Sequence, residues 1–183
     1  MHFLPVDLVN LMVSIVPETH ELAGVFHVDQ SGSLNDVTIN VGPPCVDAGT
    51  GKHTRQCHVE MPPRRGERDI VWHTHPAANR PSSIDMAHAV EEAASAPSYV
   101  FSRHGAWAYW PGRGVRWDKM TEGDRRRTVL LWRVVGGLLE SPMQRRCPDA
   151  IRRFSDTVSP HVGVAFTAGG AFIPGRRTIT QAV

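Results

Sequence analysis

The stretch from Trp72 to Asp85 constrains this chain more than any other: Trp72-His73-Thr74-His75-Pro76, a short polar loop, then Pro81-Ser82-Ser83-Ile84-Asp85. With Val71 to His75 as a strand, side chains alternate between faces, so His73 and His75 point the same way. Ser82 and Asp85, three apart at the start of a helix, share a face and can look back at the histidine pair. Two imidazoles and a carboxylate converging from a strand end and a helix start make a three-ligand zinc site with one open position, the catalytic form of such a site. Each half has a plainer reading. His-x-His arises by chance on strands, and Ser82 serves equally as a helix N-cap reinforced by Asp85 from the third helical position.

The elements around this stretch follow from periodicity. Leu4, Leu8, Val9, Leu11, Met12, Ile15 and Val16 recur at helical spacing, and Pro17 ends that helix because it lacks an amide hydrogen. Leu22 to Asp29 and Asp36 to Val41 read as a hairpin across Gln30-Ser31-Gly32-Ser33. Gly42 to Thr54 reads as a loop, Gln56 to Met61 as a third strand, and Pro62 to Arg68 as a turn. Asp69 to Thr74 is the central strand and Ser83 to Ala96 an Ala-rich helix. Ser98 to Ser102 and Ala106 to Trp110 form a second hairpin. A long helix is expected from Thr121 to about Glu140 and another from Cys147 to Val158. Gly163 to Phe166 and Ala171 to Ile173 are candidate short strands. The order is mixed α/β, a sheet flanked by helices.

Bulk properties narrow the function. A chain of 183 residues is most simply one domain, 1–183, able to bury a core without staples. A net charge of +2 gives no electrostatic case for nucleic acid, and the arginine clusters, such as Arg125-Arg126-Arg127, read first as solvated helix faces. Cys45, Cys57 and Cys147 form an odd, sparse set without Cys-x-x-Cys spacing, which argues against a disulfide framework and fits a reducing compartment. The start lacks a basic leader and no segment is long enough to span a bilayer, so no membrane partner and an intracellular, cytoplasmic location are expected.

A hydrolytic zinc site also needs a general base, and the best candidate is Glu21 in Glu21-Leu22-Ala23-Gly24, at the mouth of the first strand. Glu18 and Glu60 are weaker alternatives. Glu-x-x-Gly after an N-terminal helix, then His-x-His-Pro, then Ser-x-x-Asp, resembles the JAMM motif of MPN-domain zinc metalloproteases, through Glu21, Gly24, His73, His75, Pro76, Ser82 and Asp85. The resemblance implies the MPN, cytidine-deaminase-like fold over roughly residues 3–110, with a helical extension over about 120–183. It implies one catalytic Zn2+ on His73, His75 and Asp85, with Glu21 holding the catalytic water and Ser82 stabilising the oxyanion. It implies a peptidase or isopeptidase whose substrate is a conjugate of ubiquitin or a ubiquitin-like protein, with a non-catalytic MPN scaffold as the alternative. Two details depart from the family pattern. Six residues separate His75 from Ser82, one fewer than is frequent, and the first strand lacks the usual second glycine.

Other residues have bland defaults. His58 beside Cys57 suggests a second metal site, but no further pair at ligand spacing accompanies it, and a structural role is the default. His27, His88 and His104 read as ordinary surface or core histidines. Trp107, Tyr109 and Trp110 read as core, with a wall of a substrate groove as the alternative. Trp72, out of phase with the histidines, should point away from the metal into the core.

Overall fold

Pro5 opens the first helix without needing an amide donor, and α1 runs over Val6–Ser14 with Val9 and Met12 facing inward. This is the computed structural model of the chain, and it describes residues 4–47, 55–76, 81–91, 96–111, 119–140 and 162–168. The helix stops short of the expected Val16, although Val16 itself stays buried. Strands β1 (His20–Val28) and β2 (Leu34–Pro44) form the first hairpin. Its turn is closed by Asp29, whose Oδ1 accepts from the Ser33 amide (3.0 Å) and the Ser31 hydroxyl (2.6 Å), with Gly32 at φ 88°.

Two short strands, β3 (Val46–Asp47) and β4 (Arg55–Gln56), pair with each other. Then come β5 (Ile70–Thr74), α2 (Ser83–Glu91), β6 (Ser98–Ser102), β7 (Gly105–Pro111), α3 (Glu122–Glu140) and β8 (Val162–Ala168). The main sheet has six strands in the order β2-β1-β5-β6-β7-β8. All neighbours are antiparallel except β5 and β6. A parallel neighbour requires a crossover, and α2 lies on it.

The fold is thus α/β, a mixed sheet flanked by helices. Every residue of β5 is buried, so the sheet is covered on both faces there. On one face Trp72 is fully buried, stacked on Phe26 (5.6 Å between centroids) and edge-on to Phe101 (6.1 Å), in one cluster with Val9 and Met12 of α1. The other face of β5 carries His73 and meets α2. Thr121 caps α3, accepting from the Asp124 amide at 3.2 Å and donating its hydroxyl to the Asp124 carboxylate at 2.6 Å.

Asp69, just before β5, ties the sheet to the preceding turn. Its buried carboxylate accepts from the amides of Val28 (3.0 Å), Arg65 (2.8 Å) and Gly66 (3.1 Å) and pairs with His27 Nδ1 (2.8 Å). The other nitrogen of His27 lies 2.8 Å from Thr38 Oγ1, so this histidine is a buried structural one. Burial alone would raise the Asp69 carboxyl; its donors outweigh that and hold it below the usual carboxylate range.

Gly42 to Thr54 is not a loop throughout, since β2 runs on to Pro44 and Val46–Asp47 forms β3, and two further expectations fail. Gln56 to Met61 is not a strand: only Arg55–Gln56 pairs, and residues 57–61 are in neither helix nor strand. Cys45 and Cys57 are not free thiols but a disulfide. The β3–β4 register explains both. Val46 opposes Gln56 and Asp47 opposes Arg55, so the flanking Cys45 and Cys57 meet with 4.4 Å between Cα atoms. Of the remaining expectations, the Ser83–Ala96 helix is observed over Ser83–Glu91, with 92–95 outside the described residues. The Cys147–Val158 helix and the Ala171–Ile173 strand also fall outside them. No helix among the described residues is long and apolar enough to cross a membrane.

Candidate metal centre

Glu21, His73 and His75 reach one site because β1 and β5 are antiparallel in a fixed register. Ala23 opposes His73, and continuing that register sets Glu21 opposite His75. Alternation then sends Glu21, His73 and His75 to one face while Leu22, Gly24 and Trp72 serve the α1 side. The Leu22 amide donates to Thr74 Oγ1 (2.8 Å), which locks the two strands at the site's edge. His75 lies one residue past β5, but its amide donates to the Phe101 carbonyl (2.8 Å), so its backbone is held as firmly as a strand residue.

Asp85 arrives from the first turn of α2. Its Oδ2 accepts from the Ser82 amide (2.6 Å), and Ser82 Oγ accepts from the Asp85 amide (3.1 Å), a reciprocal cap. The plain reading of Ser-x-x-Asp therefore holds, and it coexists with the sharper one, because the cap aims the carboxylate at the histidines. Asp85 Oδ1 lies 3.3 Å from His73 Nε2 and Oδ2 lies 3.4 Å from His75 Nε2; the two Nε2 atoms are 3.1 Å apart. Tetrahedral coordination with metal–ligand distances of about 2.0–2.1 Å places ligand atoms about 3.3 Å from one another. The nearest atoms approach that spacing, with Asp85 using a different oxygen toward each histidine; one ligand atom from each residue lies within 4.8 Å of the others, so this group could hold a metal ion.

The charges at the site are strongly coupled. Burial disfavours the Asp85 carboxylate, but His73 and then His75 outweigh it and hold its pKa far below the usual range. Burial likewise would lower His73; the carboxylates of Asp85 and Glu21 reverse the sign and raise it. Glu21 Oε1 sits 4.0 Å from His75 Nε2, with only 15% of its side chain exposed. Burial raises its carboxyl, a push that the two nearby histidines only partly offset. A half-desolvated carboxylate with a raised pKa, beside but outside a three-donor cluster, can take up and release a proton.

Gly24, the other residue of Glu-x-x-Gly, has a packing reason. A Cβ there would lie 2.3 Å from a ring carbon of Trp72 and 2.8 Å from the Thr38 carbonyl.

The cluster lies in a cavity of about 650 Å3 that also includes Ser82. One wall is the irregular segment carrying His58, Val59 and Met61; Ile84 and His88 of α2 and Tyr109 of β7 line other parts. The aromatic run thus divides: Trp110 joins the α1-side core and Tyr109 lines the cavity. The plain default for His88 is incomplete. It follows Asp85 by three on the same helix, and that spacing was the available signal. No second metal-holding group occurs among the described residues, so His58 stays a wall residue. Of the alternative bases, Glu18 is at the surface with Arg103 (2.6 Å), and Glu60 is exposed on the cavity rim. Comparison with protein-family models, curated proteins and solved structures found no significant match.

Proposed function

We propose that this chain is a zinc-dependent peptidase or isopeptidase with the MPN fold, acting on a conjugate of ubiquitin or a ubiquitin-like protein. The observation that carries the reading is the convergence of His73, His75 and Asp85, whose nearest atoms lie 3.1–3.4 Å apart, with the half-buried Glu21 carboxylate 4.0 Å from His75. His73, His75 and Asp85 would hold the ion. Zinc, when bound, supplies Lewis acidity and lowers the pKa of its water to about 7. Glu21 accepts the proton of the attacking water and returns it to the departing amine, a role that suits a carboxyl raised by burial. Ser82 Oγ already accepts from the Asp85 amide, which leaves its own hydroxyl hydrogen for the developing oxyanion. The substrate comes from the motif resemblance and rests on it; the intracellular, cytoplasmic setting rests on the lack of a leader or membrane span in the sequence, since the Cys45–Cys57 disulfide removes the support of unpaired cysteines.

A second reading, the non-catalytic MPN scaffold, is favoured by one observation. Val37, Ile39 and Val41 project from β2 with 42%, 47% and 67% of their surface exposed, an apolar stripe suited to assembly. One experiment separates the readings: metal content of the purified protein, with cleavage of ubiquitin and ubiquitin-like fusions with and without chelator. Stoichiometric zinc with chelator-sensitive cleavage supports the enzyme. Absence of zinc and of cleavage across the panel leaves the scaffold.

A further inference from the structure

The Cys45–Cys57 disulfide lies at the cavity, and Cys57 itself is one of the lining residues. After Cys57 the chain runs along the cavity as His58 to Met61 in neither helix nor strand. Three features hold this wall. The disulfide fixes its first residue, and the Asn40 side-chain amide donates to the Glu60 carbonyl (2.9 Å). Between them the backbone lies flat on Gly42, where an added Cβ would be 2.4 Å from the His58 carbonyl oxygen. The other end of the disulfide is tied to the strand that carries Glu21: the Cys45 amide donates to the Thr19 carbonyl (2.6 Å), two residues before Glu21. None of the three metal-cluster residues belongs to this wall; they sit on β5, just past its end, and on α2.

We infer that the Cys45–Cys57 disulfide is a redox-operated fastener for the wall of the metal cavity, closing it when oxidised and releasing His58 to Met61 when reduced. Without the covalent bond the start of the wall is left to the two-residue β3–β4 ladder and to its seat on Gly42. The reductant is a dithiol. Its thiolate attacks one sulfur of the half-buried pair, the second thiol resolves the mixed disulfide, and two electrons and two protons pass to give two cysteine thiols and an oxidised dithiol. Release displaces Val59 and Met61, the apolar part of the wall, and leaves the donor cluster in place. The substrate-binding consequence rests on the proposed function; the conformational one does not.

The test is 15N relaxation of the full chain with zinc, oxidised and after treatment with a dithiol, repeated on Cys45→Ser/Cys57→Ser. Oxidised protein should show order parameters of about 0.85 at the amides of His58 to Met61, falling below about 0.6 on reduction and in the variant. Amides of β5 and the zinc content should not change. If cleavage is present, KM should rise several-fold on reduction while kcat holds. Unchanged order at 58–61 after reduction overturns the inference. So does loss of zinc or of β5 order, which would make the disulfide a support of the whole fold, and so does the recovery of three free thiols, rather than that of Cys147 alone, from air-oxidised protein. Cleavage absent in both redox states, with the order parameters changing as stated, refutes the proposed enzyme and leaves the fastener standing.

Discussion

Replacing Asp69 with asparagine should destabilise the protein by an amount its hydrogen bonds allow to be worked out. Oδ2 takes three contacts, from His27 and the amides of Arg65 and Gly66, and Oδ1 takes one, from the Val28 amide. Asparagine keeps the shape but has only one carbonyl oxygen. Its better orientation puts that oxygen at the Oδ2 position and turns its own N–H groups toward the Val28 amide. A buried donor left facing another donor costs about 1–3 kcal/mol. The three surviving bonds lose their charge assistance, which costs about 1–2 kcal/mol more in total. The sum is about 3 kcal/mol, a fall in Tm of about 6–12 °C for a chain of this size.

The pH dependence has a fixed sign. A carboxyl held below its ordinary value contributes stability that is fully present above the unfolded pKa of about 3.9 and is lost as pH falls through the folded value. Thermal and urea unfolding of wild type and Asp69→Asn should therefore show a gap that is constant near neutrality and narrows between about pH 5 and about pH 3. A difference in Tm under about 2 °C at neutral pH, or a gap that fails to narrow in acid, would refute the reasoning. Because Asp69 immediately precedes β5, the same variant should also weaken metal binding at His73 and His75.

Glu21→Gln should keep its zinc and lose cleavage by about 10²–10⁴-fold, the contribution of a general base; undiminished turnover would remove Glu21 from that role. His75→Ala and Asp85→Ala should each lose the metal itself, read by elemental analysis, while the far-UV spectrum is kept. Gly24→Ala drives a methyl into the Trp72 ring and should cost about 1–3 kcal/mol in thermal unfolding, since an overpacked core must shift; a neutral result would mean that the Trp72 pocket yields.

What the sequence determined by itself is short-range. The alternation of Trp72, His73, Thr74 and His75 sorts core from site, because a strand's period of two admits no other arrangement. The spacing of Ser82 and Asp85 makes the reciprocal cap, since N-cap and third-position groups of one helical turn are within reach wherever the helix lies. The tertiary structure alone decided what depends on distant partners. Asp69 gathers donors from Val28 and His27, 41 and 42 residues away, and nothing near it in the chain marks it as a hub. Cys45 and Cys57 became a pair through the β3–β4 register, which an odd count of cysteines conceals. Gln56 to Met61 reads as a strand in the sequence, where His58, Val59, Glu60 and Met61 alternate polar and apolar. The wall from His58 to Met61 forms no ladder and lies instead flat on Gly42 of β2, where a residue without a side chain admits another backbone.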